Sequence, residues 1–132
     1  MERIRVLVIE DDDDTRRLIE QELDEAGYEV VPALDGRHAL RLAKTAKPAV
    51  LLVDIGLPVM NGDEFVRRWR SSPQAGDAAI VIVSGRKDAR DVAKALGVET
   101  VIPKPFRIEH LVATVGRFAH PAGGTATSVS PA

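Results

Sequence analysis

The chain has 132 residues, 45% of them hydrophobic and 29% charged, with a formal net charge of -2. That is about one domain, long enough to bury a core without staples, and its composition excludes a disordered or membrane-embedded chain. It has no cysteine, which excludes a disulfide framework, a thiolate metal site and a cysteine nucleophile, and no strong global field points at nucleic acid or lipid.

In chain order, Met1-Glu2-Arg3-Ile4-Arg5 runs into a short apolar stretch that stops at an acidic cluster. This is unlike a signal peptide or a membrane span, so a cytoplasmic location is expected. Val6-Leu7-Val8-Ile9 reads as a buried strand. Ile19, Leu23 and Ala26 then share one helical face, and Gly27 supplies the left-handed stop expected just past a helix end. The cycle repeats as Tyr28 to Val31 (strand), Arg37 to Ala46 (helix), Val50 to Val53 (strand) and Glu64 to Arg70 (helix, with Phe65, Val66 and Trp69 inward). Ile80 to Val83 and Ala89 to Leu96 make a fourth pair, and Thr100 to Ile102 and Ile108 to Phe118 a fifth.

Strands alternating with helices of this length call for parallel strands joined by right-handed crossovers. The fold expected is α/β, a doubly wound five-stranded parallel sheet with helices on both faces. Residues 1–119 form the domain, and residues 120–132, rich in Ala, Gly, Thr, Ser and Pro with no apolar period, read as a flexible tail.

In such sheets ligands bind beyond the carboxyl ends of the strands. The residues that follow the strands are Glu10 and Asp11, Asp54, Ser84 and Lys104. Three carboxylates about 5 Å apart at an effective dielectric near 20 would repel by roughly 3 kcal/mol per pair. A cation relieves that cost, and an all-oxygen site with few protein ligands suits Mg2+, with Mn2+ as a substitute. Lys104 adds a further positive charge.

Each of these residues also has a plainer reading. Acidic residues are favourable at a helix N-terminus by themselves, and Asp12, Asp13 and Asp14 are assigned to that role, one of them as the cap. An aspartate bounded by Val50-Leu51-Leu52-Val53 and Ile55 is costly near a core unless paired, although a cap or loop role would also hold Asp54. Ser84 before Gly85 fits an ordinary turn, and Lys104 between Pro103 and Pro105 fits a stiff surface turn. Arg16 and Arg17 read as a solvated helix face. His38, His110 and His120 lie on helices or the tail, and none reads as catalytic.

Together, Glu10-Asp11, the stretch from Asp54-Ile55-Gly56-Leu57-Pro58 to Val59-Met60-Asn61-Gly62, Val83-Ser84-Gly85 and Lys104-Pro105-Phe106 resemble the receiver domain of bacterial response regulators, from Ile4 to about Phe118. The resemblance implies a flavodoxin-like strand order 2-1-3-4-5. It implies that Asp54 accepts a phosphoryl group from the phosphohistidine of a sensor histidine kinase or a histidine phosphotransfer protein. It implies that Glu10, Asp11, Asp54 and the backbone carbonyl of Gly56 bind Mg2+, that Ser84 and Lys104 assist, and that the Lys104-Pro105 peptide is cis. Gly56 and Arg86 would flank the phosphate. The chain would promote only its own phosphorylation and dephosphorylation, and so would not be an enzyme acting on other molecules. Its output would be a conformational change read by a downstream protein. Direct nucleic-acid binding and membrane association are not expected, and the expected state is a monomer or weak dimer.

Two departures from the family pattern stand out. Val101 occupies the position of an aromatic residue on the fifth strand, and the stretch from Ser84 to Gly97 is about two residues short. Two rival readings compete. One is a receiver-like adaptor that acts without phosphorylation. The other is a haloacid-dehalogenase-type phosphatase, because Asp11-Asp12-Asp13-Asp14-Thr15 contains a D-x-D-x-T pattern. Against the phosphatase, Glu10 intervenes between strand and pattern, no acidic pair follows Lys104, and the chain leaves little room for a substrate cap.

Overall fold

The computed structural model describes residues 3–57 and 59–119; the tail expected at 120–132 lies outside the described residues. Ten elements alternate along the chain: β1 (Arg5–Ile9), α1 (Asp13–Glu25), β2 (Glu29–Ala33), α2 (Gly36–Ala46), β3 (Val50–Val53), α3 (Gly62–Arg70), β4 (Ala79–Ser84), α4 (Ala89–Leu96), β5 (Thr100–Pro103) and α5 (Ile108–Phe118). All strand pairs are parallel, in the order β2-β1-β3-β4-β5. This is the expected five-stranded, flavodoxin-like doubly wound sheet.

The strands are apolar on both faces because both are covered, and the period of two sorts their side chains into two cores. Leu7, Ile9, Leu51, Val53 and Ile82 pack with Ala39 and Ala43 of α2, Phe65, Val66 and Trp69 of α3, and Ala89 and Ala93 of α4. The alternate residues Val6, Val8, Val50, Leu52, Val81 and Val83 pack with Ile19 and Leu23 of α1 and Leu111 and Val115 of α5. With its faces filled in this way, the sheet leaves only the strand ends for polar chemistry.

Element boundaries differ from the sequence reading in three instructive places. β2 continues through Pro32 to Ala33, because β2 is an edge strand and a proline's missing N–H costs nothing on the unpaired side. Ala26 is exposed and stands at the C-cap rather than on the buried face of α1. α3 starts at Gly62, two residues before Glu64, with the Asn61 side chain accepting from the Glu64 N–H at 3.0 Å. Gly62 reads locally as a turn residue, but its place is set by a tertiary contact. A Cβ there would lie 2.5 Å from the Asp54 carbonyl oxygen and 2.6 Å from the Ile55 Cα.

Candidate functional site

Glu10 and Asp54 leave adjacent strands at the same level, since β1 and β3 are in register with Ile9 opposite Val53. The main chain ties both down: the Glu10 N–H donates to Ala33 O at 3.1 Å and the Asp54 N–H to Ile9 O at 3.1 Å. Lys104 follows β5, and its N–H donates to the Ser84 carbonyl at 3.0 Å. Glu10, Asp54, Ser84 and Lys104 thus stand together at the carboxyl ends of β1, β3, β4 and β5.

Two buried carboxylates meet a lysine there. Glu10 is 2% exposed and Asp54 9%. The Lys104 Nζ donates to Glu10 Oε1 at 2.7 Å and to Asp54 Oδ2 at 3.1 Å. The other oxygens are also engaged: Glu10 Oε2 accepts from the Asp12 N–H at 3.2 Å, and Asp54 Oδ1 from the Gly56 N–H at 2.9 Å. Asp11 is exposed, yet Glu10, Asp11 and Asp54 each offer an oxygen within 4.8 Å of the others. This all-oxygen carboxylate set, concentrated at one point, fits a hard divalent cation.

The electrostatics are unequal across the Lys104 contact. Burial raises the Glu10 carboxyl above its ordinary value of 4.5, despite the opposing pull of Lys104. Burial also disfavours the charged Lys104, but the Glu10 hydrogen bond and the Asp54 and Glu10 charges outweigh it, so Lys104 is held above 10.5. The difference follows from exposure: the Glu10 side chain is 3% accessible and that of Lys104 26%, so Glu10 bears the larger desolvation cost.

The structure therefore brings Glu10, Asp11, Asp54 and Lys104 together. Ser84 ends β4 and is 2% exposed, with its hydroxyl accepting from the Arg86 N–H at 3.1 Å. Gly56 lies in the turn after Asp54, and the Lys104-Pro105 peptide is cis, as the resemblance implies. Arg86 is turned to Asp88, with contacts of 2.9 and 2.8 Å. Asp12 is the α1 cap, accepting from the Thr15 N–H at 2.8 Å. Asp13, the acid-base residue of the phosphatase reading, is paired with Arg16 at 2.6 Å. His38 and His110 lie on α2 and α5, and His120 lies outside the described residues.

Arg16 corrects the sequence reading. It is 9% exposed, not solvated, and its Nη1 donates to the Glu10 carbonyl at 3.1 Å; Arg17 is exposed as expected. The signal that could have found it is the helical period: Arg16 stands three residues before Ile19 and seven before Leu23, on their buried face, whereas Arg17 does not. Val59, in the stretch after Asp54, adopts φ 67° and is 77% exposed. On β5, half-buried Val101 lines a cleft of about 420 Å³ beside Arg90, Ala93, Lys94 and Val98. The adjoining α4 has only eight residues.

Comparison with known proteins agrees with this fold. A family model described as the response regulator receiver domain matches residues 6–116. The transcriptional regulatory protein PrrA of Mycobacterium tuberculosis is 36% identical over 128 residues, covering 96% of this chain and 54% of PrrA. The virulence transcriptional regulatory protein PhoP of Salmonella typhimurium is 31% identical, covering 96% of this chain and 56% of PhoP. The chain spans about half the length of these curated relatives. Among solved structures, the chemotaxis protein CheY4 of Vibrio cholerae superposes with a TM-score of 0.82 at 34% identity, covering 89% of this chain and 99% of CheY4. A putative response regulator from Chloroflexus aurantiacus also gives 0.82, at 28% identity, covering 89% and 98% of the two chains. From Val6 to Gly116, in fold and in sequence, the chain belongs to the response regulator receiver domains of two-component systems.

Proposed function

We propose that the chain takes a phosphoryl group onto Asp54 from the phosphohistidine of a sensor histidine kinase or histidine phosphotransfer protein, in a Mg2+-dependent step, and passes the signal to a downstream protein in the cytoplasm. The observation that carries this reading is Lys104 Nζ, 2.7 Å from Glu10 and 3.1 Å from Asp54. A lone lysine so placed, beside three clustered carboxylates, suits a centre that gains and loses negative charge.

In the transfer, one Asp54 carboxylate oxygen attacks phosphorus in line. An O–P bond forms as the P–N bond breaks, and the electron pair stays on the donor imidazole. The Gly56 N–H restrains Oδ1 and Lys104 contacts Oδ2, so the nucleophile is oriented before the donor arrives. Lys104 then neutralises charge on the transferred group, and the Ser84 hydroxyl, freed from the Arg86 N–H, donates to a phosphoryl oxygen. A Mg2+ ion held by Glu10, Asp11, Asp54 and the Gly56 carbonyl would supply further neutralisation of the phosphoryl oxygens. The domain promotes only its own phosphorylation and dephosphorylation.

One observation favours a second reading. Val101 stands where the family resemblance implies an aromatic residue, so an adaptor that docks its partner without phosphorylation is the competing reading. Incubation with acetyl phosphate and Mg2+, followed by intact-mass measurement, separates the two. The proposed function requires a gain of one phosphoryl in the parent and none in Asp54→Ala. No gain in either favours the adaptor.

A further inference from the structure

Arg16 sits in the first turns of α1, yet its guanidinium is nearly inaccessible and makes three contacts. Nη1 donates to the Glu10 carbonyl at 3.1 Å, Nη2 to Asp13 Oδ1 at 2.6 Å, and Nε lies 3.5 Å from Glu20 Oε2. The first of these matters most. The carbonyl of Glu10 belongs to the planar peptide that joins Glu10 to Asp11, so holding that oxygen fixes the rotation of the whole unit. The other side of Glu10 is fixed by its N–H bond to Ala33. Between them, the two contacts decide where the Glu10 and Asp11 side chains leave the backbone.

We propose that Arg16 is a positioning residue for the cation site, aiming Glu10 and Asp11 by gripping the peptide between them. This rests on the reading of Glu10, Asp11 and Asp54 as cation ligands. Outer contacts of this kind orient metal ligands and affect affinity strongly. Asp11 has the most to lose, because it is exposed and its backbone is the half of that peptide which β1 does not hold.

The sign of the effect distinguishes positioning from simple charge. Arg16 is a cation near a cation site, so deleting its charge relieves repulsion and would tighten metal binding. Deleting its grip misaligns two ligands and loosens binding. The roles pull in opposite directions.

The test is Mn2+ binding to the full chain, read by the paramagnetic resonance signal of the free ion with no phosphodonor present. Arg16→Met is expected to bind Mn2+ roughly tenfold more weakly than the parent. Arg16→Lys, which keeps the charge but lacks the planar fork, is also expected to bind more weakly. Unchanged or tighter binding in a folded variant overturns the inference, and if Arg16→Met does not fold, Arg16→Lys carries the same two outcomes. In a double-mutant cycle with Asp11→Asn, the Arg16 effect is expected to shrink, whereas simple additivity overturns the route through Asp11. A parent that binds no Mn2+ sinks the cation-site reading itself, while a parent that binds with unaltered variants sinks only the role of Arg16.

Discussion

Lys104 and Glu10, 94 residues apart in sequence, meet at 2.7 Å with Glu10 almost fully buried. The contact joins the ends of the first and last strands in chain order, β1 and β5, across β3 and β4. It also sets an ammonium among carboxylates that would otherwise repel one another.

Lys104→Ala removes the only cation that contacts both Glu10 and Asp54 among the described residues. In chelator at neutral pH the variant is expected to lose about 1 to 3 kcal/mol of stability, the cost of leaving charged hydrogen-bond partners unsatisfied. Added Mg2+ is expected to raise its Tm by more than it raises the parent's. Thermal melts with and without the ion measure both, and an equal Mg2+ shift in the two proteins contradicts the account.

Burial raises Glu10 above 4.5, so the native state binds this proton more tightly than the unfolded chain does. The ionised form therefore costs stability above the folded value, and that cost disappears as pH falls toward 4.5. In chelator, the parent is expected to gain stability relative to Glu10→Gln as pH is lowered from 7 through this window. Paired melts across the range check the sign, and a relative loss would mean that burial does not dominate at Glu10.

Two glycines are expected to respond oppositely to alanine. Gly62→Ala would force a Cβ to within 2.5 Å of the Asp54 carbonyl; it is expected to cost about 1 to 3 kcal/mol and to slow phosphorylation by displacing Asp54. Gly116 lies inside α5, where, among the described residues, a Cβ would meet only the Tyr28 hydroxyl at 3.7 Å. Gly116→Ala is expected to add about 0.5 to 1 kcal/mol. Chemical denaturation and acetyl-phosphate labelling together measure both.

Val59 holds a left-handed backbone, φ 67°, with a β-branched side chain exposed to solvent. Left-handed backbone costs a non-glycine residue about 1 to 2 kcal/mol, and little packing offsets it here. Val59→Gly is expected to stabilise the fold by about 0.5 kcal/mol, after the larger backbone entropy of glycine in the unfolded chain is subtracted. A lower denaturation midpoint would show that the valine makes a compensating contact.

Ten alternating elements and the residues worth watching were legible along the chain, because apolar period and turn chemistry are local properties. β3, α4 and α5 fall on the residues read from the sequence, since Val50–Val53 is a continuous apolar run and the two helices have clear ends. Glu10, Asp54, Ser84 and Lys104 were legible as residues following strands, and a parallel sheet gathers strand ends; the hydrogen bonds of Lys104 to Glu10 and Asp54 were not legible, because they need four parallel strands brought into register. Packing settled that Gly62 starts a helix against the back of Asp54 and that Pro32 stays in a strand, and it gave the buried Arg16 its partner, the Glu10 carbonyl. In each case the cause is packing between segments distant in sequence, which sets what a helix face meets and which strand lies at an edge.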